Sequence, residues 1–264
     1  MIKLNKKEKA ENDLVMSKGR NMYKVSRFLR KLPSDKPEAF SEHWINVYGT
    51  AFKKLAASNP GLIRYAQNYR KIDADSPFGN AVTNELDVID ELWFENKSAA
   101  DALFSSKEYQ ETVLPIQEKY IDAKRSEVVT GDVHIVWSGS AAPKEDKVKI
   151  VFQSFRRPDL TFEEYRHHWL NNHAALTREM PDADKISQRS EFLPTERCDY
   201  SGLQAADCDG SGAVWFVSLK ELQASFETPY YHEVLAPDEK RFSDGSRYLG
   251  HSGDEVVILT SPKW

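Results

Sequence analysis

The stretch GSGAVWFVSLKELQASFETPYYHEVLAPDEKRFSD (210–244) decides the fold, because the chain carries a second version of it. The earlier version, VIDELWFENKSAADALFSSKEYQETVLPIQEKYID (88–122), aligns with it without a gap and keeps its aromatic, proline and acidic residues in register. Self-similarity of this kind is the signature of an internal repeat. The matched pairs are Trp93 with Trp215, Phe94 with Phe216, Phe104 with Phe226, Tyr109 with Tyr231, Pro115 with Pro237, and Asp122 with Asp244.

A shorter match upstream extends the repeat. FSEHWINVYGTAF (40–52) pairs with YRHHWLNNHAALT (165–177), which sets one tryptophan against another and Tyr48 against His173. Chance similarity does not keep so many aromatic residues in register, so we interpret the chain as a duplication.

The duplication predicts a division of the chain into three parts. Residues 1–20, rich in Lys, Glu and Asn, are predicted to be a mobile tail. The first unit is predicted to cover 21–143 and the second 144–264, with Pro143, Lys144 and Glu145 as the joint.

Each half is predicted to fold as β-α-β-β-α-β, the ferredoxin-like plan of the α+β class. Runs of β-branched and aromatic residues indicate the strands, and a capping box of Thr161 and Glu164 starts one helix. Such a unit covers its sheet with helices on one face only, so the two sheets are expected to face each other. The predicted strands are 22–29, 62–69, 90–95, 132–138, 148–155, 185–192, 212–218 and 254–260, and the predicted helices are 36–57, 97–106, 161–180 and 219–227.

Composition excludes some classes of function. The 264 residues carry a net charge of −5, which argues against a nucleic-acid partner because no basic excess neutralises phosphates. No run of 18 apolar residues could span a membrane, and the start of the chain lacks the apolar stretch of a signal peptide. With only two cysteines, Cys198 and Cys208, we expect a reducing, cytoplasmic location.

One histidine of the segment EYRHHWLNNHAAL (164–176) is predicted to point inward. Apolar and aromatic residues recur on this helix at helical spacing, and His173 fills a gap in their stripe. His167 and His168 fall outside the stripe and are predicted to be solvated. His173 is either a satisfied core histidine or a group facing a cavity between helix and sheet, and Tyr48 occupies its place in the first half.

These motifs resemble the EthD family of the dimeric α+β barrel superfamily. In the second half the resemblance rests on a helix with the pattern Y-x-x-x-W-x-x-x-H-A, on the W-F pair of a strand, and on P-D-E-x-x-F-x-D. The first half is similar but replaces the histidine by Tyr48. The resemblance implies two fused ferredoxin-like units that form an intramolecular dimeric α+β barrel.

The resemblance also implies small-molecule chemistry without a metal or an organic cofactor. We expect a cofactor-independent lyase or isomerase acting on a small aromatic, polyketide-like or lactone substrate. The alternatives are a non-catalytic small-molecule binder of a degradation pathway and a haem-binding barrel with His173 as axial ligand. No nucleic acid or membrane partner is expected, and the pseudo-dimeric chain could form a homodimer.

The candidate site residues fall into two groups. His173 is the proposed acid or base, since an imidazole in an apolar pocket exchanges protons near neutral pH. Tyr230 and His232 have no counterparts in the first half, which favours a function for them, whereas the repeated Tyr231 is assigned a structural role. Arg156 is either a surface ion pair or an anion clamp. The catalytic candidates are His173, His232 and Tyr230, and the substrate-binding candidates are Trp169, Tyr165, Trp215, Phe216, Arg156 and Tyr48.

Overall fold

The computed structural model describes residues 22–70, 86–139, 142–183 and 187–264. The predicted tail (1–20) lies outside these residues. Strands form where β-branched and aromatic residues cluster, and the eight predicted ones are found to within five residues; β4 and the two-residue β8 were not predicted. The strands are β1 (Tyr23–Leu29), β2 (Leu62–Arg70), β3 (Val88–Phe94), β4 (Glu127–Asp132), β5 (His134–Ser138), β6 (Val148–Ser154), β7 (Ser187–Pro194), β8 (Gln204–Ala205), β9 (Gly210–Phe216) and β10 (Leu249–Thr260).

The helices cover one face of the sheet, and several of them contain a π-helical segment. The α-helices are α1 (Pro37–His43), α2 (Gly49–Ala57), α3 (Lys97–Ser105), α4 (Leu114–Tyr120), α5 (Phe162–His167), α6 (Ala174–Arg178), α7 (Leu219–Phe226) and α8 (Ala236–Phe242). The π-helical segments are π1 (Trp44–Tyr48), π2 (Tyr109–Val113), π3 (His168–His173) and π4 (Tyr231–Leu235).

One helix in each unit was not predicted. The segments π2–α4 and π4–α8 follow the predicted second helix, and each contains a proline that looks like a helix breaker in the sequence. Pro115 and Pro237 lie in the first turn of α4 and α8. Each proline lies where a π-helical segment passes directly into an α-helix, and there the regular i→i−4 hydrogen bonding is interrupted in any case.

The two units close into one barrel through their last strands. In the described residues, ten strands form a single hydrogen-bonded sheet. Strand β10 pairs with β6 of its own unit and then with β2 of the first unit. In the same way, β4 pairs with β1 while β5, only one residue further on, pairs with β7 of the second unit. The predicted α+β fold with two fused units in a dimeric barrel is confirmed.

The barrel interior is a core shared by the two units. Phe28, Ile89 and Trp93 of the first unit are buried there with Val151 and Leu193 of the second. The other hydrophobic clusters lie on the outer face of the sheet, between strands and helices. A cavity between helix and sheet therefore belongs to the outside of the barrel.

Buried ion pairs cross the barrel interior between the units. Lys24 lies 3.0 Å from Glu191 and 2.5 Å from Glu91. Lys149 contacts Glu91 as well, and lies 2.9 Å from Glu255. The same register places Lys24 opposite Trp93 and Lys149 opposite Trp215, so the two lysines are equivalent in the repeat. Each lysine thus has a carboxylate from the opposite unit.

We expect Glu91→Gln to lower the free energy of unfolding by roughly 3–5 kcal/mol, because both buried lysines lose a charged partner. Glu111→Gln is the matched control, since Glu111 is 63% exposed and its ion pair with Lys107 is a surface pair. The control should change stability by less than about 0.5 kcal/mol. Urea unfolding followed by tryptophan fluorescence measures both, and equal losses would contradict the role of the interior pairs.

Candidate active site

The helix that carries His173 begins at a capping box. The Thr161 hydroxyl accepts a hydrogen bond from the Glu164 amide (3.2 Å), and the Glu164 carboxylate accepts one from the Thr161 amide (2.8 Å). These bonds satisfy amides that have no partner inside the helix. The helix continues from α5 through π3 into α6, so that Trp169 and His173 face the sheet.

The π-helical segment brings two histidines to one carboxylate. His168 and His173 are five residues apart, which separates them on an α-helix, but the i→i+5 repeat of a π-helix brings them to one side. The imidazole Nε2 of His168 and the Nδ1 of His173 each lie 3.0 Å from a different oxygen of Asp238 on α8. Both histidines are therefore held by α8.

The bond to Asp238 determines which nitrogen of His173 faces the cavity. A carboxylate only accepts hydrogen bonds, so Nδ1 of His173 carries the proton and donates a hydrogen bond to Asp238. The other nitrogen, Nε2, is left without a partner among the described residues. Burial lowers the pKa of His173 below its ordinary value of 6.5, against the opposing effect of Asp238. The neutral imidazole is thus favoured, with a free lone pair on Nε2.

His173 lies where two compartments of one cleft meet. His173 lines both an apolar compartment of about 130 Å³ and a second one of about 350 Å³, whose lining mixes aromatic and polar side chains and which is called the polar compartment below. The apolar compartment also reaches Trp137 on β5, so the first unit contributes a wall to the second unit's cleft. The residues lining both compartments are Phe152, His173, Phe192, Tyr231 and Glu239. The apolar compartment is completed by residues such as Ile150, Thr177, Met180, Val214, Phe216 and Phe226, and the polar one by Gln153, Ser154, Trp169, Lys240, Ser243 and Tyr248.

A second titratable group lines the cleft beside His173. The pKa of the Glu239 carboxyl is raised to about 7, mainly by burial and to a smaller extent by the nearby Asp238, against the opposing effect of a hydrogen bond from Tyr231. The Tyr231 hydroxyl donates a hydrogen bond to Glu239 (3.3 Å). Burial also raises the pKa of Tyr231, so this phenol stays protonated. Glu239 can therefore hold or release a proton near neutral pH.

The cleft is open in the second unit because of the residues at two paired strand positions, a phenylalanine and a glycine. In the β6–β9 ladder Phe152 lies opposite Gly212, and a Cβ at Gly212 would collide with the Phe152 ring. In the β1–β3 ladder the equivalent positions are Arg27 and Asp90, which form a fully buried ion pair. An aromatic ring over a glycine leaves space above the sheet, whereas the ion pair fills it.

In the first unit a hydrogen-bonded cluster takes the place of the cleft. The Arg27 guanidinium donates to the Tyr48 hydroxyl (2.7 Å), to Gln117 (2.9 Å) and to Ser201 (3.0 Å). Ser201 belongs to a loop of the second unit that reaches into the first, with a left-handed backbone conformation at φ 60°. Tyr48 is fully buried in this cluster. It stabilises the first unit and lines neither compartment of the cleft.

A family model for the EthD domain matches two stretches of the chain, residues 33–124 and 157–246, which together make up more than half of it. The chain belongs to the EthD family. The second matched stretch contains both histidines and Asp238.

Individual relatives of this EthD chain are distant. Decarboxylase AgnL1 of Paecilomyces divaricatus is 26% identical over 114 residues, covering 40% of this chain and 76% of that protein. The solved structure of an anthrone oxidase-like protein superposes with a TM-score of 0.59 at 10% identity, covering 93% of this chain and 98% of the other. Chlorite dismutase from Candidatus Nitrospira defluvii gives 0.52 at 10% identity, covering 92% and 95%. At such identities the solved structures show the fold alone.

The structure brings only some of the predicted site residues of this EthD chain together. Trp169 and Phe216 line the cleft with His173. Tyr165 is fully buried in the core beside Trp169, and Trp215 lies against the barrel interior, where its indole N–H donates to Glu255.

Three further candidates point away from the cleft. His232 is exposed, and the Tyr230 hydroxyl donates to the backbone carbonyl of Leu176 (2.9 Å). Tyr230 and His232 were predicted because they occur in the second half only. The alignment of the two halves does not show which side of π4 faces the sheet. Arg156 is held in an ion pair with Asp209 (2.6 Å), as the surface alternative expected.

The sequence did not predict Asp238 and Glu239 as site residues, nor that Tyr231 lines the cleft and that His168 is half-buried. A signal for the two acids was present in the repeat itself. The alignment sets Asp238 against Ile116 and Glu239 against Gln117, so both carboxylates occur in the second half only.

Within the described ranges, no three His, Cys, Asp or Glu side chains are grouped so that they could hold a metal ion. No helix in that part of the EthD chain has the length and apolar character needed to cross a membrane.

We expect Tyr48→Phe to reduce stability by about 1–3 kcal/mol, because the buried Arg27 guanidinium loses an acceptor. Ligand binding in the second-unit cleft should be unchanged. Tyr230→Phe is the control, since its hydroxyl bonds a half-buried carbonyl and its loss should cost less. Thermal unfolding measures stability, and ligand titration measures affinity. A lower affinity at an unchanged melting temperature would contradict the scaffold role of Tyr48.

Proposed function

We propose that the chain is a cofactor-independent lyase or isomerase in which His173 is the base and Glu239 the acid. The observation that carries this proposal is the buried His173–Asp238 hydrogen bond, which leaves the free Nε2 at a cleft shared with Glu239. Enolisation, isomerisation and decarboxylation all require a proton to be taken from or delivered to carbon, which such a pair performs.

The basic role of His173 follows from its tautomer and its surroundings. Asp238 holds the proton on Nδ1 and stabilises the imidazolium that forms when Nε2 takes a proton from the substrate. The rings of Phe192 and Phe242 lie 5.9 and 5.1 Å from His173 and fix its orientation. A positioned imidazole with an orienting carboxylate is the arrangement that general bases use on unrelated folds.

The acidic role of Glu239 follows from its raised pKa. A carboxyl group with a pKa of about 7 retains much of its proton at neutral pH, whereas an exposed glutamate would have lost it. In a decarboxylation, Glu239 would deliver its proton to the carbon that carries the carboxylate. The C–C bond to the carboxylate breaks and CO2 leaves. The electron pair of that bond forms the new C–H bond with the proton from Glu239, and solvent reprotonates Glu239.

The cleft favours a small flat substrate with polar substituents. An engineered apolar cavity of about 150 Å³ takes one benzene ring, and the apolar compartment of about 130 Å³ is of similar size. Phe152, Phe192 and Trp137 supply aromatic walls, and the adjoining polar compartment accepts oxygen-bearing groups. The similarity to a decarboxylase supports a substrate that carries a carboxylate.

The residues present do not fit a haem at His173. At roughly 150 Å³ for one ring, the compartments of about 130 and about 350 Å³ at the imidazole have room for about three rings together, whereas a porphyrin carries four pyrrole rings around its iron. The free Nε2 is therefore assigned to proton transfer. A non-catalytic binder remains the alternative that the following experiment separates from an enzyme.

We expect the protein to accelerate deuterium exchange into 1,3-dihydroxynaphthalene, whose ring C–H between the two hydroxyl groups exchanges through a keto tautomer. His173→Ala should lower the rate at least about 100-fold, the usual loss when general acid–base help is removed. Proton NMR in D2O measures the exchange, and calorimetry establishes that the probe is bound. If wild-type protein binds the probe but exchanges it no faster than His173→Ala, the chain is a binder.

The exchange rate should depend on pH as a bell. It should rise as His173 loses its proton, at a pH below the ordinary value of 6.5, and fall as Glu239 loses its proton near pH 7. Glu239→Gln should slow exchange and remove the alkaline limb. Glutamine fits this position, because Gln117 occupies it in the first unit. An alkaline limb that persists in Glu239→Gln would exclude Glu239 as the acid.

A further inference from the structure

The carboxylate that orients His173 has a second imidazole partner. His168 Nε2 lies 3.0 Å from Asp238 Oδ1, while His173 Nδ1 lies 3.0 Å from Oδ2. Asp238 is buried, and the His168 side chain is 23% exposed. Arg241 is the other cation near Oδ1, but it lies at 3.8 Å and its side chain is 72% exposed. His168 is therefore the partner that holds the outer oxygen of Asp238.

The first unit shows what a histidine does at this position without a carboxylate. His43 is the counterpart of His168 in the repeat, and it stacks on Tyr120 with a centroid distance of 5.2 Å. His168 stacks on Phe242 in the same way, at 5.0 Å. His43 Nδ1, however, bonds the carbonyl of Ala39 in its own helix (2.7 Å). The stack belongs to the fold, and the bond to Asp238 is specific to the second unit.

We propose that His168 is a positioning residue for the base. By holding Oδ1 of Asp238, His168 keeps the inner oxygen, Oδ2, at His173, and this bond keeps the proton of His173 on Nδ1. This inference rests on the proposed function of His173. The neutral imidazole of free histidine favours the proton on Nε2, which would put an N–H instead of a lone pair at the cleft. Two hydrogen bonds fix both oxygens of Asp238, whereas one leaves the carboxyl group free to rotate towards Arg241.

The test compares variants that separate the bond from the stack. His168→Phe keeps an aromatic ring over Phe242 and removes the donor, whereas His168→Gln restores an N–H near the position of Nε2. His43→Phe is the matched control, because it makes the same change on the equivalent stack of the first unit. Two-bond proton–nitrogen NMR spectra of histidine-labelled protein report the tautomer of His173 at neutral pH.

We expect wild-type protein and His43→Phe to show His173 protonated on Nδ1. In His168→Phe the Nε2–H form should appear, and the exchange of 1,3-dihydroxynaphthalene should slow about 10-fold at unchanged probe affinity. His168→Gln should restore both. Because the tautomer is read from the folded protein directly, a change in stability does not mimic this result.

Two outcomes would overturn the proposal: His173 carrying its proton on Nε2 in the wild type, or an unchanged tautomer and exchange rate in His168→Phe. The tautomer also separates this inference from the proposed function. A shifted tautomer without any exchange activity in wild-type protein leaves His168 as the positioning residue and removes the enzyme. If exchange depends on His173 but not on His168, the proposed function stands and the positioning role of His168 is wrong.

Discussion

Two lysines inside a closed barrel place the strongest constraint on this molecule. Lys24 and Lys149 are buried, and each is neutralised partly by a carboxylate of the opposite unit, Glu191 and Glu91 respectively. Inside the barrel each charge needs its partners, because a buried charge that has lost its partner costs several kcal/mol. The pairs that cross between the units therefore fix how the two sheets face each other. Fusing the units in one chain makes the pairing intramolecular. The barrel interior is thereby committed to holding the units together, and ligands must bind elsewhere.

The remaining space lies between the sheet and the helices, once in each unit. Duplication provides two such places on nearly the same backbone, and the side chains decide their fate. Arg27 and Asp90 fill the first with a buried ion pair that Tyr48 and Ser201 complete. The second has aromatic and small residues at the equivalent strand positions and stays open. A filled unit stabilises the barrel while the other carries a cleft, whose wall includes a residue of the filled unit.

Aromatic register made the fold predictable, because residues that pack a shared core recur at fixed positions in both halves. Helical periodicity also identified His173 as inward. The family resemblance implied the barrel, but the strand pairs that close it could not be predicted, since they depend on how far β10 extends past its own unit. The roles of Tyr230 and His232 were assigned by their absence from the first half, which does not report the direction of a side chain. Asp238 is also absent from the first half, but it lies in a helix that was not predicted because Pro237 looks like a helix breaker.

The sequence did not predict that His168 and His173 converge on Asp238, and the reason lies in the helix itself. A spacing of five residues separates side chains on an α-helix, and the sequence contains no mark of a π-helical segment. All four π-helical segments occur at equivalent places in the two units, so this geometry belongs to the fold. In the first unit the residue aligned with Asp238 is Ile116, which offers no acceptor to His43. The proposed proton-transfer site therefore differs from an inert core chiefly in His173, Asp238 and Glu239, placed on a backbone that already had the required shape.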